Sequence, residues 1–195
     1  MRTSTLALAP ALVAALVLVS CTPANGTSAN LLDNPLYAEF YYDDLVEAMV
    51  DIELQNPKEV EESPALKRAL EVARRSGLTE ATEANKLQDS GAKGNFVQAK
   101  ETVAGEALFT GTMLYLGPDF VSTPGPSLQL YLSKDVDPRS AEDFPAADDV
   151  LVGPLQTPYG AQTFVTQELD ISAYRSLVLY DPSLKRMYGL AQLAK

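Results

Sequence analysis

The side chains able to do chemistry in this chain are almost all carboxylates. Histidine and tryptophan are absent, and Cys21 is the single cysteine among 195 residues. Without an imidazole there is no Ser-His-Asp or Cys-His relay, no histidine-ligated haem and no ordinary zinc or copper site. One cysteine forms no intrachain disulfide. The acidic groups gather in a few places. Glu39, Asp43, Glu47 and Asp51 recur every four residues, which on a helix makes a single ridge. Asp135, Asp137, Glu142, Asp143, Asp148 and Asp149 crowd one loop. Hard oxygens at that density could hold calcium, but Pro138 and Pro145 break the run and no glycine supplies the sharp turn of an EF-hand. Asp148 and Asp149 are adjacent, so on a strand they face opposite sides and make a poor acid/base pair. Asp181 stands before Pro182, a common place for a turn residue; a cation ligand is the other use of such a carboxylate. These patterns assign no catalytic residue and no metal ligand set, and they imply no cofactor.

Cys21 closes the stretch Leu18-Val19-Ser20-Cys21, which resembles a bacterial lipobox. Ahead of it, Arg2 and an apolar run from Leu6 to Val19 read as an export signal over residues 1–20. The run contains Pro10 and is short for a permanent span. The resemblance implies cleavage before Cys21 and acylation of both its thiol and the new amino group, and several acyl chains anchor a protein stably. An ordinary signal peptide that ends near a cysteine is the alternative. With its sulfur in a thioether, the exported chain would keep no thiol for redox chemistry. Residues 21–30 are small and polar, with Pro23 and Gly26, and read as a lipidated tether.

Helical periodicity follows. Asn34-Pro35 is a start signal, a capping side chain and then a proline at the first helical position. Tyr37, Tyr41, Leu45, Met49 and Ile52 then recur at three or four residues until about Gln55. A second helix is predicted from Ser63-Pro64, with Leu66, Ala69, Leu70 and Ala73 on one side and a stop at Gly77. A third covers about Thr79 to Gln88 and closes at Ser90-Gly91. Like charges at the spacing of the ridge cost an isolated helix about 0.2–0.5 kcal/mol per pair. The ridge is therefore either a solvated face screened by salt, or a surface that meets a cationic partner or Arg74 and Arg75 of the neighbouring helix.

From Gly94 the period becomes two. Leu128, Leu130 and Leu132 alternate with Gln129, Tyr131 and Ser133, as in a strand with one buried face, and Pro124-Gly125-Pro126 before them makes a tight turn. Strands are predicted at 96–100, 105–109, 112–116, 127–133, 150–153, 163–166, 176–180 and 186–193, with Thr110-Gly111 as a hairpin turn. Short strands at regular spacing indicate an antiparallel sandwich or barrel. Tyr131, Tyr159, Tyr174, Tyr180 and Tyr188 belong mostly to its core or rim.

GNFVQAKETVAGEAL, DFVSTPGPSLQLYLSKDVDP, Gly160-Ala161-Gln162-Thr163-Phe164, LDISAYRSLVLYD and the segment Tyr188 to Leu193 occur in one order over Gly94 to Leu193. In that order and spacing they resemble the DM13 domain. The resemblance implies an all-β domain of extracellular and membrane-anchored proteins, proposed to act in redox or electron transfer through a near-invariant cysteine. Where that family has an aromatic residue and then cysteine, this chain has Tyr180 and Asp181, and the histidine that often precedes the first core strand is missing. A carboxylate exchanges no disulfide, so the redox role does not carry over on these residues.

The expectation is a mainly β chain with an α-helical amino-terminal part. It comprises a signal peptide at 1–20, a tether at 21–30, two or three helices over 31–93, and a DM13-like antiparallel β-sandwich or barrel over 94–195. Net charge is −11, a field that argues against nucleic acid and anionic lipid headgroups as partners. The function expected is that of an exported lipoprotein of the bacterial cell envelope. It would be held to membrane lipid by acylated Cys21 and would bind an envelope protein without catalysis. Residues 39, 43, 47 and 51 are the candidate contact. A redox or electron-transfer accessory is the alternative, set back by Asp181 and the lack of histidine.

Overall fold

The computed structural model describes residues 30–140 and 144–195. Three helices come first: α1 (Pro35–Gln55), α2 (Pro57–Glu62) and α3 (Pro64–Ser90). Each opens on Asn-Pro or Ser-Pro, so a proline with preset φ fills a position whose N–H would be unpaired. The Asn34 carboxamide oxygen accepts from Leu36 N and Tyr37 N, and Ser63 Oγ accepts from Leu66 N. The short α2 starts at Asn56-Pro57 and is not among the predicted helices.

The two helices expected between Ser63 and Ser90 are one. Gly77 does not end the helix; it lies at the contact of α3 with α1. A Cβ there would come within 2.8 Å of Val46 Cγ2 and 3.4 Å of the Tyr42 carbonyl oxygen. The glycine lets the two helices approach, and that tertiary contact outweighs its poor helix propensity.

The β part contains β1 (Ala92–Gln98), β2 (Val103–Ala104), β3 (Glu106–Phe109), β4 (Met113–Leu116) and β5 (Val121–Ser122). After these come β6 (Gln129–Ser133), β7 (Val150–Pro154), β8 (Gln162–Val165), β9 (Ser176–Asp181) and β10 (Arg186–Gln192). Eight strands form one antiparallel sheet in the order β7-β6-β9-β10-β1-β3-β4-β8, and β2 pairs with β5 as a separate ribbon. The change of period at Gly94 falls inside β1, which begins at Ala92. There β1 changes partner. Ala92 to Asn95 pair with β3, and Phe96 to Gln98 pair with β10. Gly94 leaves no room for a Cβ beside the Gln192 carbonyl, so only glycine allows the crossing.

The sheet folds over a core that includes Phe109, Leu114, Leu116, Phe120, Leu130, Leu132, Leu177 and Leu179. Its end strands β7 and β8 nearly meet, giving an almost closed sandwich. The Gln162 side chain pins the loop that joins them, accepting from Gln156 N and Thr157 N and donating to the Thr157 carbonyl. Leu128, Leu130 and Leu132 all point into this core, as their spacing indicates. The opposite face of β6 is buried too, which corrects the expectation of a single buried face. Tyr131 packs with Val178, Tyr180 and Leu190 under Phe144.

The helical hairpin stands on the sheet through its open end. Leu36 packs on Leu108 and Tyr115. Asn34, 1% exposed, donates from Nδ2 to the carbonyls of Leu116 and Gln162. At the end of α3, Gln88 Nε2 donates to the Pro35 carbonyl and its Oε1 accepts from Lys93 Nζ.

Candidate functional site

Asp181 ends β9, the strand whose six residues are all buried, and is itself 0% exposed. The carboxylate turns to the loop before β6. Ser127 N donates to Oδ2 at 3.0 Å, Ser127 Oγ to Oδ1 at 2.8 Å, and Leu184 N to Oδ1 at 3.1 Å. Burial by itself would push this carboxyl up. Hydrogen bonds from Ser127, Leu184 and Ser183 outweigh it and hold the pKa below the usual carboxylate value. The Pro124-Gly125-Pro126 turn passes directly over the group. A Cβ on Gly125 would lie 2.6 Å from the Tyr188 hydroxyl and 2.7 Å from Asp181 Oδ2. The glycine is thus the side-chain-free position that lets the turn sit on the carboxylate. Asp181 is a turn and loop anchor, with its lone pairs engaged inside the fold rather than offered to a ligand.

In front of this turn is a groove of about 360 Å³, walled by Pro124, Pro126, Leu128, Pro154, Leu155 and Pro158. Ser127 forms part of the wall and connects it to the buried carboxylate. Proximity in sequence gave no sign of this. Residues 127 and 181 meet only because β6 and β9 are neighbours.

The ridge residues share one helix but not one environment. Asp43, Glu47 and Asp51 are exposed, whereas Glu39 is half-buried and accepts from Gln88 Nε2 at 2.6 Å. The neighbouring arginines do not lie on the ridge. Arg74 pairs with Glu53 of α1 at 3.0 Å, and Arg75 with Glu71 of its own helix at 3.0 Å. Glu53 is off the four-residue repeat, which is why the spacing did not single it out. At the foot of the ridge lies an open groove of about 660 Å³, lined by Leu36, Glu39, Phe40, Asp43, Asn95, Glu106, Pro118 and Asp119. Burial raises the Glu106 carboxyl above its usual value. Lys93 opposes the rise, and the charges of Asp119 and Glu39 add to it. Glu106 and Asp119 were not readable as partners of the ridge, because they come from the β part.

The remaining candidates are dispersed. Asp137 is held by Arg139, Asp148 by Lys134, and Asp149 accepts from Ala146 N; Glu142 and Asp143 lie outside the described residues. Among the described residues no group of three or more His, Cys, Asp or Glu side chains is placed to hold a metal ion. Tyr131, Tyr174, Tyr180 and Tyr188 are buried, and Tyr159 is exposed. Cys21 and the leader lie outside the described residues. Among the described residues no helix is long and apolar enough to cross a membrane.

A family model described as Electron transfer DM13 matches residues 95–193, nearly the whole β part. The chain belongs to the DM13 family. No curated protein and no solved structure matches it. Within this DM13 domain, the position that the resemblance assigns to the family's cysteine is occupied by a sealed carboxylate. That residue has no sulfur chemistry, and three donors from within the fold hold it. The residues at this point therefore do not fit a thiol-based redox centre.

Proposed function

We propose that this DM13 protein is an exported lipoprotein of the bacterial envelope. Lipid on Cys21 holds it, and it binds another envelope component through its acidic helix or its β-domain without catalysing a reaction. The observation that carries this reading is Asp181. The residue at the family's cysteine position is committed to holding the Pro124–Ser127 turn. The one sulfur able to become a thiolate, Cys21, follows an export-like leader instead. What is left to the β-domain is shape and charge.

A second reading has one finding in its favour, the electron-transfer description of the matched family. It requires a redox group held by carboxylate, tyrosine or methionine. One preparation tests both. Expressed with its leader in a bacterium, the chain is expected to partition with membranes, and Cys21→Ser is expected to be released or to remain unprocessed. The purified protein is expected to be colourless from the near ultraviolet to the red and inert in reductive titration. A mutant that fractionates like wild type removes the anchor, and a stoichiometric chromophore that titrates makes electron transfer the better reading.

A further inference from the structure

From Phe40 to Gln55 the helix α1 contains no buried residue, yet most of its side chains there are apolar. Phe40 is 53% exposed and Leu54 72%, and Tyr41 and Ile52 are exposed as well. Helix α3 adds Val72, 62% exposed, and Leu78. A helix apolar on more than one face is normally covered on more than one face, and two helices alone are a single layer without an interior. Among the described residues α1 packs along α3, and it meets the sheet near its start, where Leu36 packs on Leu108 and Tyr115.

The charges on the hairpin indicate what covers it. Along α1 run Glu39, Asp43, Asp44, Glu47, Asp51 and Glu53, with no lysine or arginine. The first half of α3 carries Lys67, Arg68, Arg74 and Arg75 against Glu71 alone. A two-fold axis brings the same two surfaces together twice, so α1 of one copy can lie on the basic half of α3 of the other, and the reverse. A helix of this length is about 30 Å long and a pair about 20 Å wide. Its face of about 600 Å² approaches the roughly 800 Å² per partner of a standard interface.

We propose that the hairpin is one half of a four-helix bundle, and that the protein dimerises through it with a second copy of this chain. The contact covers Phe40 and Leu54, which lie on the same side of α1 as Asp43, Glu47 and Asp51, and gives this acidic ridge the basic surface that an isolated helix lacks. Neither the lipid anchor nor an envelope partner is needed for it, so its failure would leave the proposed function untouched.

The test uses the full chain in mild detergent, prepared with two different affinity tags. Wild type is expected to sediment at twice the chain mass, after correction for detergent, and the two tags to co-purify. One variant carries Asp44→Lys, Glu47→Lys and Asp51→Lys; the other carries Lys67→Glu, Arg68→Glu and Arg75→Glu. Each alone is expected to self-associate more than about tenfold more weakly while keeping its helical circular dichroism. Mixed together they are expected to form a heterodimer near wild-type strength, since each α1 then meets an α3 of opposite charge. Mixing does not repair a defect inside one chain, so this rescue separates a contact between copies from one within a copy. A wild type that stays monomeric at micromolar concentration overturns the proposal. So does a dimer that both unmixed variants retain. A monomer cross-linked through α1 to a basic protein of another kind assigns the face to that occupant instead.

Discussion

Asp181 combines complete burial with a lowered pKa, two properties that usually oppose each other. Desolvation disfavours its charge, but donors from Ser127, Ser183 and Leu184 favour it more. The sign of its contribution to stability follows. The folded pKa lies below the unfolded value of about 3.9, so the stabilisation is fully present above that value and is lost as pH falls through the folded pKa. The Asp181→Asn protein is expected to have a lower urea midpoint near pH 7 and a flatter fall in stability toward about pH 2. Urea titrations of both proteins across that range measure it, and parallel curves would show that folding does not shift the Asp181 pKa. Asn34 is a second residue with two tasks, capping α1 and satisfying the carbonyls of Leu116 and Gln162. Replacing it with alanine removes a cap and leaves two buried acceptors short of a donor. Asn34→Ala is expected to lower stability by about 2–4 kcal/mol, read from chemical denaturation. A loss under about 0.5 kcal/mol would mean that water replaces the amide.

At the scale of elements, α3 shows a local stop signal overruled by packing. Gly77 sits where a Cβ would touch Val46 and the backbone of Tyr42. Gly77→Ala is expected to be near neutral, because a helix-propensity gain of about 1 kcal/mol offsets a contact that Val46 can relieve by shifting. Gly77→Leu has no such relief and is expected to cost about 1–3 kcal/mol, with faster amide exchange along α1 and α3. Exchange unchanged in both helices would place the hairpin's stability elsewhere. The strands β6 and β9 illustrate the companion case. The alternation in β6 marks one inward face, but Tyr131, Val178 and Tyr180 form a second, smaller core that Phe144 covers.

At the scale of the whole molecule, two parts of different periodicity are joined at their base and diverge beyond it. Asn34, Leu36 and Gln88 tie the hairpin to the sheet, and α1 from Phe40 onward leaves it. The proposed dimer and the proposed membrane anchor therefore act at different parts of one molecule. The DM13 domain supplies a stable body, while the hairpin supplies the surface with unmet contacts.

The sequence by itself determined the class of fold, the start of α1, most of the strands and the family, because periodicity, Asn-Pro or Ser-Pro starts and Gly-Pro turns act within a few residues. It also determined that imidazole chemistry is absent, since composition is independent of folding. Only the tertiary structure decided that α3 is unbroken, that Arg74 meets Glu53 rather than the ridge, and that Asp181 holds Ser127. Each of these depends on distance between segments remote in the chain, and strand order and helix approach set such distances without leaving a local pattern.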